Sequence, residues 1–132
     1  MILVDTSVLI DFLKGSETEE VNKLNKILIS NIPFGICDFI YMELLQGVKT
    51  EREFEKLKKY LDTQTFYKLK NDIDSYANAA MIYFKSRQKG ITIRSMIDLL
   101  IAQTAIENNL LLLHSDKDYT NIKKIVTDLN FY

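Results

Sequence analysis

Four carboxylates in this chain are spaced as though to meet: Asp5, Glu43, Asp98 and Asp116. Asp5 directly follows the apolar run Met1 to Val4, and Asp116 lies shortly beyond the run Leu110 to Leu113. Short continuous runs of this kind suit strands buried on both faces, and in open parallel sheets the working site lies beyond the carboxyl ends of the strands. Asp98 falls in the first turn of a helix predicted to open at Ser95, just ahead of the last of these strands. Glu43 sits in the middle of the predicted helix FIYMELLQGV.

Three of the four have a local explanation. Asp5 can cap the helix behind it, in competition with Thr6 and Ser7. Ser95-x-x-Asp98 resembles a capping box, and Asp116 with Asp118 suits an Asx-type turn. Glu43 has no such outlet: the residues one turn away are Phe39, Ile40, Gln46 and Gly47, with no Lys or Arg among them. A buried ionised carboxylate costs several kcal/mol unless it is paired or bound to metal.

Taken together, crowded carboxylates repel and take up protons unless a cation lies between them. Mg²⁺ is the hard, oxygen-seeking ion that fits, with Mn²⁺ as a substitute. Such an ion orients a phosphodiester and acidifies a bound water. The sequence has no Walker loop and no Gly-rich phosphate cradle, and its single histidine, His114, excludes a multi-His site. Its single cysteine, Cys37, excludes an intrachain disulfide and a Cys-based zinc site. Metal-assisted hydrolysis is the chemistry that remains.

The elements that must position these groups alternate along the chain. A strand over Met1 to Val4 leads through Thr6-Ser7 into a helix ended by Gly15, and a second helix is predicted over Glu17 to Ser30. Pro33 to Cys37 reads as the second strand, with Asp38 as N-cap of a helix from about Phe39 to Val48. Glu51 to Leu61 is amphipathic, with Phe54, Leu57 and Leu61 inward. Thr65 to Leu69 reads as a third strand. Ile73, Tyr76, Ala77, Ala80 and Phe84 give helical spacing up to Gly90, so Tyr76, Tyr83 and Phe84 are expected in the core or at a dimer contact. After the Ser95 helix and the Leu110–Leu113 strand, Asp118 to Lys124 is a short helix or turn and Ile125-Val126 an edge strand. Strand and helix in alternation predict a mostly parallel sheet covered by helices.

The chain has 132 residues, 47% hydrophobic and 27% charged, with four Gly and one Pro, which fits one ordinary globular domain over residues 1–132 and excludes low-complexity or linker-rich classes. The apolar runs are far shorter than the ~20 residues of a membrane span, and Asp5 and Asp11 interrupt the apolar start, so a cytoplasmic location is expected. The net charge of −1 points to no global basic field. Setting the four carboxylates aside makes the balance mildly positive, as for a basic rim around an acidic centre.

In order and spacing, MILVDTSVLIDFL, FIYMELLQGV, MIDLLIAQTA and LLLLHSDKDY resemble the PIN-domain ribonucleases, closest to the VapC-type toxins of toxin–antitoxin pairs. The resemblance spans essentially the whole chain. It implies a three-layer α/β/α fold around a mostly parallel sheet of about four to five strands. It also implies a Mg²⁺-dependent endoribonuclease acting on RNA and silenced by a cognate VapB-like antitoxin, with homodimers building larger complexes and no membrane association.

Asp5, Glu43, Asp98 and Asp116 match the four acidic positions of the family. The resemblance implies that Asp5 and Asp98 bind the metal most directly, that Glu43 binds it or positions it through water and helps activate the nucleophile, and that Asp116 completes the cluster or holds a second ion. Thr6 matches a hydroxyl residue that orders the turn, and Asp118 is structural rather than catalytic. His114 stands where the family more often has a small hydroxyl residue and reads as a packed or solvated strand-end histidine, in preference to a phosphate contact at the site mouth; Cys37 reads as a buried strand residue. Lys14, Arg87, Lys89, Arg94 and Lys117 are candidate phosphate contacts whose commoner role is solvated surface charge. Two other functions are a PIN nuclease in RNA processing without a toxin role and a catalytically silent RNA- or protein-binding module. A receiver-like signalling module fits less well, because it wants adjacent acidic residues after the first strand, where Asp5 stands alone.

Overall fold

The computed structural model describes residues 1–132. Five strands, β1 (Ile2–Val4), β2 (Phe34–Cys37), β3 (Phe66–Tyr67), β4 (Leu111–Leu113) and β5 (Asn130–Phe131), form one sheet in the order β3-β2-β1-β4-β5. Every pairing is parallel. The helices are α1 (Thr6–Leu13), α2 (Glu19–Ile29), α3 (Asp38–Gln46), α4 (Glu51–Leu61), α5 (Ile73–Gln88), α6 (Met96–Glu107) and α7 (Lys117–Ile125). None is long and apolar enough to cross a membrane.

Alternation along β1 divides the core. Ile2 and Val4 point to one face and pack with Val8, Leu24, Ile27 and Leu113 under α1 and α2. Leu3 points to the other and joins Ile36, Ala102, Leu112, Tyr119 and Ile122 in the larger core. Helices thus cover both faces of the sheet, as an all-parallel sheet requires. Gly35 lets β2 and β3 come together: a Cβ there would lie 2.4 Å from the Thr65 carbonyl oxygen and 2.7 Å from the Tyr67 ring.

Three expectations are corrected and a fourth is narrowed. Asp38 does not cap α3; Cys37 holds the cap position, and the Asp38 carboxylate instead pairs with Lys68 Nζ at 2.5 Å, tying α3 to the end of β3. The third strand is only Phe66–Tyr67, because the chain then turns away and the Lys70 amide bonds Glu107 on α6. Ile125 and Val126 are not a strand: α7 runs to Ile125, with the Val126 amide still bonded to the Ile122 carbonyl, and the edge strand is Asn130–Phe131. On α5, Tyr76, Tyr83 and Phe84 are exposed, which removes the core alternative and leaves that of a dimer contact, whereas Ser75, Ala79, Ile82 and Ser86 face the core. The two buried serines tolerate that face because each hydroxyl is bonded, Ser75 to Glu107 and Ser86 to the Tyr83 carbonyl.

Candidate active site

The strand order reverses between β1 and β4, and a crevice opens beyond their carboxyl ends. The Asp5 amide donates to the Leu113 carbonyl at 2.9 Å, so the β1–β4 ladder fixes this residue before its side chain is considered. Asp5 is the N-cap of α1: its Oδ2 accepts from the Ser7 amide at 3.0 Å and the Ser7 hydroxyl at 2.6 Å. The Ser7 hydroxyl in turn accepts from the Ser115 amide at 3.0 Å, joining the turns that follow β1 and β4. Thr6 does not order this turn. Its hydroxyl reaches across to α3 and donates to Glu43 Oε1 at 2.8 Å.

Asp98 occupies the first turn of α6, where its amide donates to Ser95 Oγ at 3.3 Å. The reciprocal half of the capping box is taken by another residue: Asp118 Oδ2 accepts from the amides of Arg94 and Ser95, each at 3.0 Å. The Asp98 carboxylate is therefore free of its own helix and turns into the crevice. Asp116 caps α7, its Oδ1 accepting from the Asp118 amide at 2.9 Å, so the Asx reading holds for one of its two oxygens.

Asp98, Asp116 and Asp118 each bring a carboxylate oxygen into a cluster whose atoms lie within 4.8 Å of one another. Arg94 Nε reaches only the edge, 3.6 Å from Asp118 Oδ1, with most of its side chain in solvent. Burial, then the negative charges of Asp5, Asp116 and Asp118, pushes the Asp98 carboxyl up to about 7. Burial also raises Glu43, with Asp5 and Asp116 adding to the rise and the Thr6 hydrogen bond opposing it. A compact, electrically frustrated set of oxygens is what a hard divalent cation relieves, and the donor set fits one.

The four predicted carboxylates thus share one field, but the tight cluster is made of Asp98 and Asp116 with Asp118. Asp5 and Glu43 flank it. Asp118 serves twice, its Oδ2 clipping the start of α6 while the carboxylate also belongs to the cluster. Sequence reasoning took Ser7 only as a rival cap to Asp5, and it missed Tyr119. Tyr119 is wholly buried, and its hydroxyl lies 2.6 Å from Asp5 Oδ1 and 3.3 Å from Asp98 Oδ1. The sequence carried no signal for it, because its burial and its two hydroxyl partners come from elements distant in the chain. Burial, with Asp5 and Asp98 next, holds the phenol well above its ordinary value, so it stays a donor.

His114 packs against the Phe131 and Tyr119 rings, centroids 4.3 and 4.9 Å away, and its Nδ1 accepts from the Asp116 amide. Burial lowers its pKa, so the packed reading holds. Cys37 is buried with its thiol pushed up to about 12 by burial, which leaves it no part as a nucleophile. Lys14, Arg87, Lys89, Arg94 and Lys117 are all exposed; Arg94 reaches Asp118, and Lys117 stands between Asp116 and Asp118 in the chain.

Residues 2–125 match the PIN domain family. The chain is 29% identical over 126 residues to VapC ribonuclease Mb1587 of Mycobacterium bovis and to Ribonuclease VapC11 of Mycobacterium tuberculosis, spanning 95% of this chain and 93% of each relative. In structure it resembles VapBC2 from Rickettsia felis, bound to a promoter DNA fragment, with a TM-score of 0.74 and 21% identity over 100% of this chain and 98% of that one. VapBC-1 from nontypeable Haemophilus influenzae gives a TM-score of 0.74 at 20% identity, covering 100% and 97%.

Proposed function

The chain belongs to the PIN-domain family, and from that premise we propose that it is an endoribonuclease, hydrolysing RNA phosphodiester bonds with Mg²⁺ and acting as the toxin of a toxin–antitoxin pair. The observation that carries this reading is the cluster of Asp98, Asp116 and Asp118 oxygens within 4.8 Å, beside Asp5, met by one cation only, the largely solvent-exposed Arg94 at 3.6 Å from Asp118 Oδ1. An anionic backbone cannot approach such a cluster without a cation.

Asp98 and Asp116 would hold the ion, with Asp5 alongside and Asp118 completing the set. When bound, it neutralises the phosphodiester and makes a coordinated water more acidic. Mn²⁺ satisfies the same oxygens. Glu43 Oε2 takes the proton of the attacking water: Thr6 engages only Oε1, and burial holds this carboxyl above its usual range, closer to the pH at which a general base works best. Arg94 and Lys117 meet the flanking phosphates as exposed cations.

The partner that silences it is an antitoxin peptide. An apolar groove of about 730 Å³ between α1, α2 and α4, lined by Leu9, Phe12, Leu24, Leu28, Leu57 and Tyr60, suits its apolar segment. Because α1 begins at Asp5 and Thr6, a peptide in that groove runs on to the carboxylates, where a basic side chain would replace the metal's charge. A second copy of the chain fits elsewhere. The exposed Tyr76, Tyr83 and Met96 border a separate apolar hollow on α5 and α6, so dimer and antitoxin do not compete.

The test is cleavage of a mixed RNA pool by purified protein with Mg²⁺, Mn²⁺ or EDTA, alongside Asp98→Asn. Metal-dependent cutting lost in the variant is the expected outcome, together with growth arrest on expression that the variant does not cause. Cutting in EDTA would overturn the mechanism. Cleavage without growth arrest would make it an RNA-processing nuclease rather than a toxin.

A further inference from the structure

A phenol hydroxyl has one proton to donate, yet Tyr119 Oη lies between carboxylate oxygens of two different elements, 2.6 Å from Asp5 Oδ1 after β1 and 3.3 Å from Asp98 Oδ1 on α6. The hydroxyl makes no other hydrogen bond, and the ring is wholly buried among core residues and against His114. The other side of Asp5 is also fixed, since Ser7 takes Oδ2 with two donors. The rotation of the Asp5 carboxylate is thus set by contacts on both oxygens. On the Asp98 side, Tyr119 is the only side-chain donor within reach of the carboxylate.

We infer that Tyr119 is a positioning residue whose buried hydroxyl holds the Asp5 and Asp98 carboxylates in a shared orientation and thereby sets the affinity of the site for divalent cations. Donors behind the ligands of a metal fix ligand geometry, and their loss weakens metal affinity by about 10–100-fold. Tyr119 does this from inside the core, where no solvent can replace it. The hydroxyl itself touches neither substrate nor water in this role.

The inference rests on the metal-dependent reading above, and one titration separates the two. Mn²⁺ binding is measured calorimetrically on the full chain for wild type, Tyr119→Phe and Asp98→Asn, with the melting temperature in EDTA recorded for each. Binding by wild type that Asp98→Asn abolishes supports the metal site itself; no binding by wild type would sink both ideas. Tyr119→Phe keeps the ring and its packing, and it is expected to fold but to bind Mn²⁺ about 10–100-fold more weakly. Its cleavage is expected to need correspondingly more metal and to recover at saturation. A change in melting temperature with Mn²⁺ affinity within about twofold of wild type would reduce Tyr119 to packing and overturn the inference.

A second readout does not depend on the variant folding. Adding Mg²⁺ to wild type is expected to perturb tyrosine absorption, because the carboxylates that Oη touches change their charge environment. No tyrosine perturbation on saturation with metal would count against the coupling.

Discussion

At the scale of single residues, Asp5 and Asp98 have the same chemistry but opposite relations to the fold. Asp5 caps α1 and accepts from Ser7 twice and from Tyr119 once, so its charge is fully engaged without metal. Asp98 is buried among like charges, with one long contact to Tyr119. In EDTA, Asp98→Asn is expected to raise the melting temperature, and Asp5→Asn to lower it by the equivalent of about 1–2 kcal/mol through the weakened cap and hydrogen bonds. Thermal denaturation of both variants checks the contrast; equal and opposite signs to these would refute it.

The same residue sets a pH dependence. In the fold the Asp98 carboxyl keeps its proton up to about pH 7, whereas the unfolded chain releases it near the ordinary 3.8. Between those values the folded state binds more protons, so stability falls as pH rises and is regained on acidification toward the lower value. Denaturant midpoints in EDTA from pH 5 to 8 are expected to show this slope for wild type and lose it in Asp98→Asn. Saturating Mg²⁺ is expected to flatten it as well, because the cation stabilises the ionised form. The acidic residues themselves were legible in the sequence because strand ends and helix starts are strong local signals. Tyr119 was not, since its role depends on two carboxylates distant in the chain.

Among the elements, β1, β4, α4 and α6 follow from apolar runs and periodicity, and their bounds fall close to those expected. The edges of the sheet do not. β3 and β5 have two residues each, too few for any period, and they exist only because β2 and β4 offer them a ladder. The inward face of α5 was misread for a different reason. Its apolar stripe is turned outward, and the buried stripe is small and partly polar, made acceptable by hydroxyl partners that sequence does not show. Gly35 was also silent in the sequence. Gly35→Ala would place a methyl group 2.4 Å from a backbone oxygen that itself accepts from the Ile36 amide. Backbone must move, and a loss of about 1–3 kcal/mol is expected in chemical denaturation. An unchanged midpoint would mean that β3 shifts freely.

For the whole molecule, the proposed roles divide the surface into three regions: the acidic crevice, the groove of α1, α2 and α4, and the aromatic face of α5 with α6. A charged substitution on one should leave the others working. Tyr83→Lys is expected to convert a dimer to monomer in sedimentation while Mn²⁺ affinity stays within about twofold; a dimer that survives it would remove this face from the interface. Leu28→Lys, in the groove, is expected to release antitoxin and leave cleavage intact, read by co-purification and by the RNA assay. Residues 1–132 are proposed to act as one domain in all of these.

Three of the five carboxylates of the crevice are also backbone acceptors at the beginning of a helix. Asp5 holds the amide of Ser7, Asp116 that of Asp118, and Asp118 those of Arg94 and Ser95. The opening turns of α1, α6 and α7 are therefore latched by the same carboxyl groups that gather in the crevice. Those four amide protons form a built-in gauge of occupancy: their exchange with solvent deuterium reports directly how firmly the acids are held. The gauge needs no RNA, no label and no knowledge of the target.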